Sequence, residues 1–391
     1  MPLQKVCQKF FSASLVGIHS YRCNVLIAMA VSLCHGAQLT LTSLGRSLPG
    51  PARVKHKIKR VDRALGNPAI HRELPQIQHQ LTHAITSLMP FCVIAVDWTG
   101  WHDSKWQLLR ASLVCDGRSV PLMSKVVPAE LAQNSQVQCD FLDRLHAAIP
   151  AGKQVTIITD AGFRTDWFRH ISRLGWHFVG RVRGLISFRL EGHEEWMNIS
   201  ELEAGASAVK VGYGVLARKP REPCYGHFYL QKRVGAGRHG RGKRQKSEEE
   251  YRSGARVPWL LFSNVEGHEP HQVMTLYSRR MQIEQNFRDE KNPRFGYGMR
   301  LGRSQGIERL EVLSVVASMG SLVMWLTGYM AEKKQQHRHY QANSIRNRRV
   351  LSYLKLAEEM VRQNPGFARQ INISNALKVL RKEYRNLVMR D

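Results

Sequence analysis

The chain has 391 residues, 43% hydrophobic and 8% aromatic, which excludes a wholly disordered polymer and supplies material for about two or three domains with buried cores. Lys and Arg number 58 against 31 Asp and Glu, a formal charge of +27. Such an excess repels itself in a compact state and persists where a polyanion neutralises it, so nucleic acid is the expected partner and a merely basic enzyme the bland alternative.

Seven cysteines (Cys7, Cys23, Cys34, Cys92, Cys115, Cys139 and Cys224) are scattered, with no Cys-x-x-Cys. That pattern reads as reduced thiols in a cytoplasmic protein and argues against a disulfide framework or zinc ribbon. The 17 histidines show no metal-ligand spacing. Val25 to Leu33 has the texture of a signal segment but no clear cleavage site follows. Val312 to Met330 runs 19 residues without a charge, yet holds Ser314, Ser318, Ser321, Thr327, Gly320 and Gly328; it is expected to be a core helix, with no membrane partner.

In chain order, the first 85 or so residues read as helices. Thr42 to Leu48 suggests a short helix stopped by Pro49-Gly50-Pro51. Arg53, Lys55, Lys57, Lys59, Arg60 and Arg63 then follow with only Asp62 opposing them. Helix, tight turn and basic helix predict a DNA-binding unit related to helix-turn-helix; a solvated basic face is the alternative.

From residue 91 the texture changes. Phe91 to Val96 is a short apolar run ending in Asp97, and Gln107–Cys115 and Ser119–Val127 flank an Asp116-Gly117 hairpin signal. A helix over Phe141–Ile149, a buried strand over Gln154–Thr159 ending in Asp160, a helix near Trp167–Leu174 and a strand over Trp176–Val182 follow. Mixed strands and helices predict an α/β sheet. Residues 184–256 are turn-rich and strand-like, and Lys232 to Lys246 interleaves seven basic residues with four glycines, either ordering on phosphates or forming a surface loop without a role. A strand over Leu260–Ser263 and a long helix from His271 to Lys291 lead into a basic, mostly helical remainder.

Asp97 and Asp160 are each expected at the carboxyl end of an apolar strand, the edge where open α/β sheets bind ligands. On a continuous helix Tyr277, Arg280, Glu284 and Lys291 fall within about 60° of one another, and Arg288 joins them. Asp103, Asp166, Asp289 and Glu290 are rival acids. Strand-end position favours Asp97 and Asp160, and helix phase favours Glu284, since Asp289 and Glu290 turn away from the Tyr277 face. Three carboxylates suit Mg²⁺ or Mn²⁺, and two such ions about 3.5–4 Å apart serve phosphoryl transfer.

Tyr277-x2-Arg280-x3-Glu284-x6-Lys291, with Asp97 in Ala-Val-Asp-Trp and Asp160 in Thr-Asp-Ala-Gly-Phe, resembles the motifs of the insertion-sequence-four family of bacterial DDE transposases. The resemblance implies a ribonuclease-H-like mixed sheet with flanking helices (89–310), interrupted by a β-rich basic insertion (184–256), between a helical DNA-binding domain (1–88) and a helical C-terminal region (311–391). It implies a triad of Asp97, Asp160 and Glu284 holding two Mg²⁺ or Mn²⁺ ions, and Tyr277, Arg280 and Lys291 on phosphates, in cut-and-paste transposition. Double-stranded transposon-end and target DNA and a dimer in the DNA-bound assembly follow from the same resemblance. In a relative within that family, a Trp opening the strand before the signature helix stacks on a flipped base; Trp259 stands in the matching place, and a core role is equally open. A nuclease that cuts without joining and a non-catalytic DNA binder are the competing readings.

Overall fold

A computed structural model describes residues 2–101, 105–183, 186–217, 223–232, 258–342 and 344–390. Asp103 and nearly all of the glycine-basic stretch, from residue 233 on, lie outside the described residues. By internal contacts the chain divides into one unit of residues 1–153 and 281–388 and a second of 154–280 and 389–391.

The first unit opens with helices α1 (Gln4–Ser14), α2 (Ser20–Cys34), α3 (Leu41–Ser47), α4 (Val54–Leu65) and α5 (Pro68–Thr86). Thr40 caps α3 by accepting from the Ser43 amide, and Asn67 caps α5 ahead of Pro68 at its first turn. Helices α3 and α4 cross closely: a Cβ on Gly45 would stand 2.6 Å from the Ile58 Cα, so only glycine fits. The expected helix, turn and basic helix are therefore present. Arg53, Lys55, Lys59 and Arg63 are exposed, while Lys57 and Arg60 are half-buried.

Strands β1 (Cys92–Trp101), β2 (Trp106–Leu113) and β3 (Val120–Pro128) form an antiparallel meander, followed by α6 (Ser135–Ala148). Gly117 adopts φ +67 in the connection between β2 and β3, where the sequence places its turn. The rest of the chain in this unit contributes α9 (Met281–Lys291), α10 (Ile307–Lys333), α11 (Tyr353–Gln363), α12 (Pro365–Gln370) and α13 (Ile373–Met389). Helix α10 is long and apolar enough to cross a membrane, but 89% of its apolar window is buried inside the protein, as expected of a core helix. It packs against β3, α2 and α11, and Gly328 lets the Tyr353 carbonyl sit against its backbone.

The second unit holds β4 (Val155–Thr159), α7 (Thr165–Arg173), β5 (His177–Val182), β6 (Ser187–Leu190), β7 (Val209–Ala217), β8 (Cys224–Gln231), β9 (Trp259–Ser263) and α8 (Pro270–Ser278). Its strands run in the order β4-β5-β9-β8-β7-β6, with β4 and β5 parallel and the remaining neighbours antiparallel. One face is an aromatic core in which Phe168, Phe178, Phe228 and Phe262 meet at centroid distances of 4.8–5.7 Å, with Phe188 against Phe228. The architecture is a large mixed α/β sheet flanked by helices, in keeping with the ribonuclease-H-like transposase fold.

Two expectations need correction. The sequence reads as one helix from His271 to Lys291, but α8 ends at Ser278 and α9 begins at Met281. No Gly or Pro marks the break. The Arg279 and Arg280 amides instead bond to the carbonyls of Leu276 and Tyr277, three residues back, which tightens the last turn and ends the helix. Asp97 is also not at a strand end: β1 continues to Trp101, still paired with β2. Asp160 does follow directly on β4.

Candidate active site

Asp97 stands in register opposite Arg110, so the two side chains rise from the same face of the meander. The Asp97 side chain, 8% exposed, accepts from the Trp98 amide at 2.8 Å. Two residues along the same face, the Thr99 hydroxyl accepts from Lys291 Nζ at 2.5 Å. Burial lowers the Lys291 ammonium below its ordinary pKa, as does Arg300, against the opposing pull of Glu290 and Asp97.

Helix α9 is held on this meander by a seam of polar side chains. Gln282 accepts from the Cys115 amide and donates to the Cys115 carbonyl, both at 2.9 Å. The Asn286 amide donates to Ser119 at its carbonyl and its hydroxyl. Asp289 receives Arg118 at 2.6 Å, and Glu290 receives the wholly buried Arg110 at 2.5 Å. Two of the rival acids are thus each engaged by an arginine. Glu284 is half-buried in the first turn of α9, and Arg288, one turn further on, is exposed.

In the second unit, Asp160 accepts from the Gly162 amide at 2.9 Å, closing a turn after β4. The remaining rival among the described residues, Asp166, pairs with Arg169. Tyr277 is buried, and its ring meets the edge of Trp259 at 4.8 Å. Arg181 lies over Trp259 at 5.9 Å, and Arg280 lies over Tyr277 at 5.9 Å. Burial raises the Tyr277 hydroxyl; Arg280 and Arg181 pull it down, and Asp160 pushes it up again. Arg181 is lowered, first by burial. Trp259 is half-buried, so neither a fully exposed platform nor a sealed core position describes it.

Residues 89–319, more than half of the chain, match the transposase DDE domain family. The chain belongs to the DDE transposases. No curated protein matches it. Family membership implies DNA as the substrate and divalent-metal chemistry that cuts and transfers it.

In this transposase the donor chemistry fits such a metal, since Asp97, Asp160 and Glu284 offer only hard carboxylate oxygens and Asp97 is nearly buried. The first unit carries Asp97 and Glu284 and the second carries Asp160. Among the described residues no three His, Cys, Asp or Glu side chains are gathered as a metal-holding group. The helix break places Tyr277 and Arg280 beside Trp259 and leaves Glu284, Arg288 and Lys291 on α9. Sequence reasoning passes over Arg181 and Arg110; each is the one Lys or Arg in a largely apolar strand, and that is the available signal.

Proposed function

We propose that this DDE transposase moves an insertion sequence by cut-and-paste transposition, with Asp97, Asp160 and Glu284 as its catalytic carboxylates. The observation that carries the reading is the pinned helix α9, which brings Lys291 to the face of β1 that bears Asp97. The complete Tyr277–Arg280–Glu284–Lys291 spacing supports placement in the insertion-sequence-four family. Leu44-Gly-Arg-Ser-Leu, Lys57-Ile-Lys-Arg-Val-Asp-Arg-Ala-Leu-Gly and Tyr277-Ser-Arg-Arg-Met-Gln-Ile-Glu support a particular likeness to the transposase of insertion sequence ten.

When bound by the three carboxylates, Mg²⁺ or Mn²⁺, as two ions per site, supplies activation of a water or 3′-hydroxyl and stabilises the leaving oxygen. The chain's own groups do the rest. Lys291, Arg280 and Arg288 neutralise the phosphates beside the scissile bond, and Tyr277 donates to one of them. Trp259, backed by the Tyr277 ring, stacks on an unpaired base while the freed 3′-OH forms a hairpin with the opposite strand. Hairpin opening and strand transfer into target DNA complete the sequence. Arg53, Lys55, Lys57, Lys59, Arg60 and Arg63, on α4 and at its cap, hold the terminal inverted repeat by its phosphates. Two copies pair two ends in the DNA-bound assembly, and the free thiols support a place in the cytoplasm.

The test is an end-cleavage assay with Mg²⁺ and the element's own flanking DNA. Asp97→Asn binds the end as the parent does and cleaves nothing; cleavage by that variant would falsify the reading. Nicks without joined products from the parent protein would favour a nuclease.

A further inference from the structure

The turn that follows Lys291 plays no part in the chemistry proposed above. It carries the most exposed Phe, Tyr or Trp side chain among the described residues, Phe295, at 64% exposure. A lone apolar ring on an untethered loop would call for no explanation. Phe295 is tethered on both sides. The Asn292 side-chain oxygen accepts from the amides of Arg294 and Phe295 at 2.8 and 3.0 Å, an Asx turn at the end of α9. Beyond the ring, a Cβ on Gly296 would stand 1.5 Å from the Asp289 carbonyl oxygen, so the chain lies directly on the last turn of α9. The Tyr297 amide donates to that same carbonyl at 3.2 Å, its own carbonyl accepts from the Leu39 amide at 2.6 Å, and its side chain is buried. The backbone is thus fixed while the apolar ring stays in water, a cost that packing within the chain does not recover.

The ring's surroundings are cationic. The Arg294 guanidinium lies over the Phe295 ring at 4.9 Å, and Arg294, Arg300 and Arg303 are all exposed. No Asp or Glu occurs between Glu290 and Glu308, and none of the three arginines forms an ion pair among the described residues. Arg300 also bears on Lys291, whose ammonium, lowered first by burial, it lowers further. A flat apolar ring among unopposed guanidinium groups suits one ligand with two parts: phosphates for the arginines and the face of a base for the ring. Inorganic phosphate would leave the ring unused. Membership of the DDE transposases already makes DNA the substrate.

We propose that Phe295 stacks on a base of the bound DNA while Arg294, Arg300 and Arg303 neutralise the phosphates beside it. The base belongs either to a strand already opened at the cut or to a step of intact duplex that the ring wedges apart. The inference rests on the DNA-end substrate of the proposed function; it needs no metal and no assignment of a catalytic carboxylate.

The test measures binding of the full-length protein to two forms of its element's end by fluorescence anisotropy, without divalent metal and with circular dichroism melts alongside. One form is the intact duplex; the other carries a short mismatched bubble at the cut site. Phe295→Ala binds at least one form about tenfold more weakly than the parent, the loss of one stacked base, and Phe295→Tyr, which keeps a ring, binds as the parent does. A loss confined to the bubble identifies a base already unpaired, and a loss on the intact duplex identifies a wedge. Arg294→Gln lowers the slope of log affinity against log salt by about one, whereas Phe295→Ala leaves that slope unchanged. Parental binding of both forms by Phe295→Ala overturns the proposal. So does Phe295→Tyr binding as weakly as Phe295→Ala, or a reduced salt slope in Phe295→Ala, because the ring would then act only by holding the arginines in place. If the parent binds neither form, the reading of the substrate as this end fails and the proposal falls with it; if the parent binds and Phe295→Ala matches it, only the role of Phe295 is wrong.

Discussion

Lys291 donates to Thr99, and both lie on the face of β1 that carries Asp97. The contact places a cation with a lowered pKa beside a nearly buried carboxylate. Replacing it with Lys291→Met is expected to reduce end cleavage by about 100-fold, as loss of one preorganised electrostatic group does, with end binding little changed. Cleavage at the parental rate would remove Lys291 from the site.

The same lysine gives a pH dependence with a definite sign. Burial holds its folded-state pKa below the 10.5 of the unfolded chain. Between those two values the unfolded state binds more protons, so stability rises with pH across the window. Urea denaturation at stepped pH should show the parent gaining on Lys291→Met as pH climbs toward 10.5. A loss relative to that variant over the same steps would contradict the assignment.

Arg181 shares the ring cluster of Trp259, Tyr277 and Arg280. If it neutralises one phosphate of the transposon end, Arg181→Ala lowers the slope of log affinity against log salt by about one. Fluorescence anisotropy at several salt concentrations measures that slope. An unchanged slope would leave Arg181 as a structural partner of Trp259.

For Trp259→Ala the steps of the reaction should separate. Stacking on a base is worth about 1–3 kcal/mol, so hairpin formation should slow by about tenfold or more while the first nick is spared. Equal loss of both steps, resolved on denaturing gels, would mean that the ring merely supports Tyr277.

Gly45 offers a test of the amino-terminal pair of helices. Gly45→Val drives a side chain into the Ile58 backbone, and overpacking of this kind costs about 1–3 kcal/mol. The melting temperature should fall and end binding with it, because the crossing that presents α4 is lost. A variant with parental stability would mean that α3 and α4 do not cross this tightly in solution.

Much of this was legible in the sequence because short apolar runs, turn residues and caps act locally. The β1–β3 meander, the α3–α4 pair and the buried α10 all lie where composition and spacing put them. The preference for Glu284 over Asp289 and Glu290 rests on phase along one continuous helix, and the break after Ser278 takes Tyr277 out of that phase. What escaped depends on contacts distant in the chain. The strand β1 runs past Asp97 because pairing with β2 persists through Thr99-Gly100, a dipeptide that resembles an ending. The helix stops at Ser278 through two shortened amide bonds that leave no mark on residue type. Arg110 could be seen as out of place in an apolar strand, but its partner is 180 residues away.

The hold of Gln282 on Cys115 has a consequence for how this protein can diverge. Both bonds reach main-chain atoms, so the glutamine recognises a peptide group and is indifferent to the thiol attached to it. Position 115 can therefore exchange its side chain for another of similar bulk while the helix keeps its anchorage. Descendants of this chain should vary more freely at 115 than at 282.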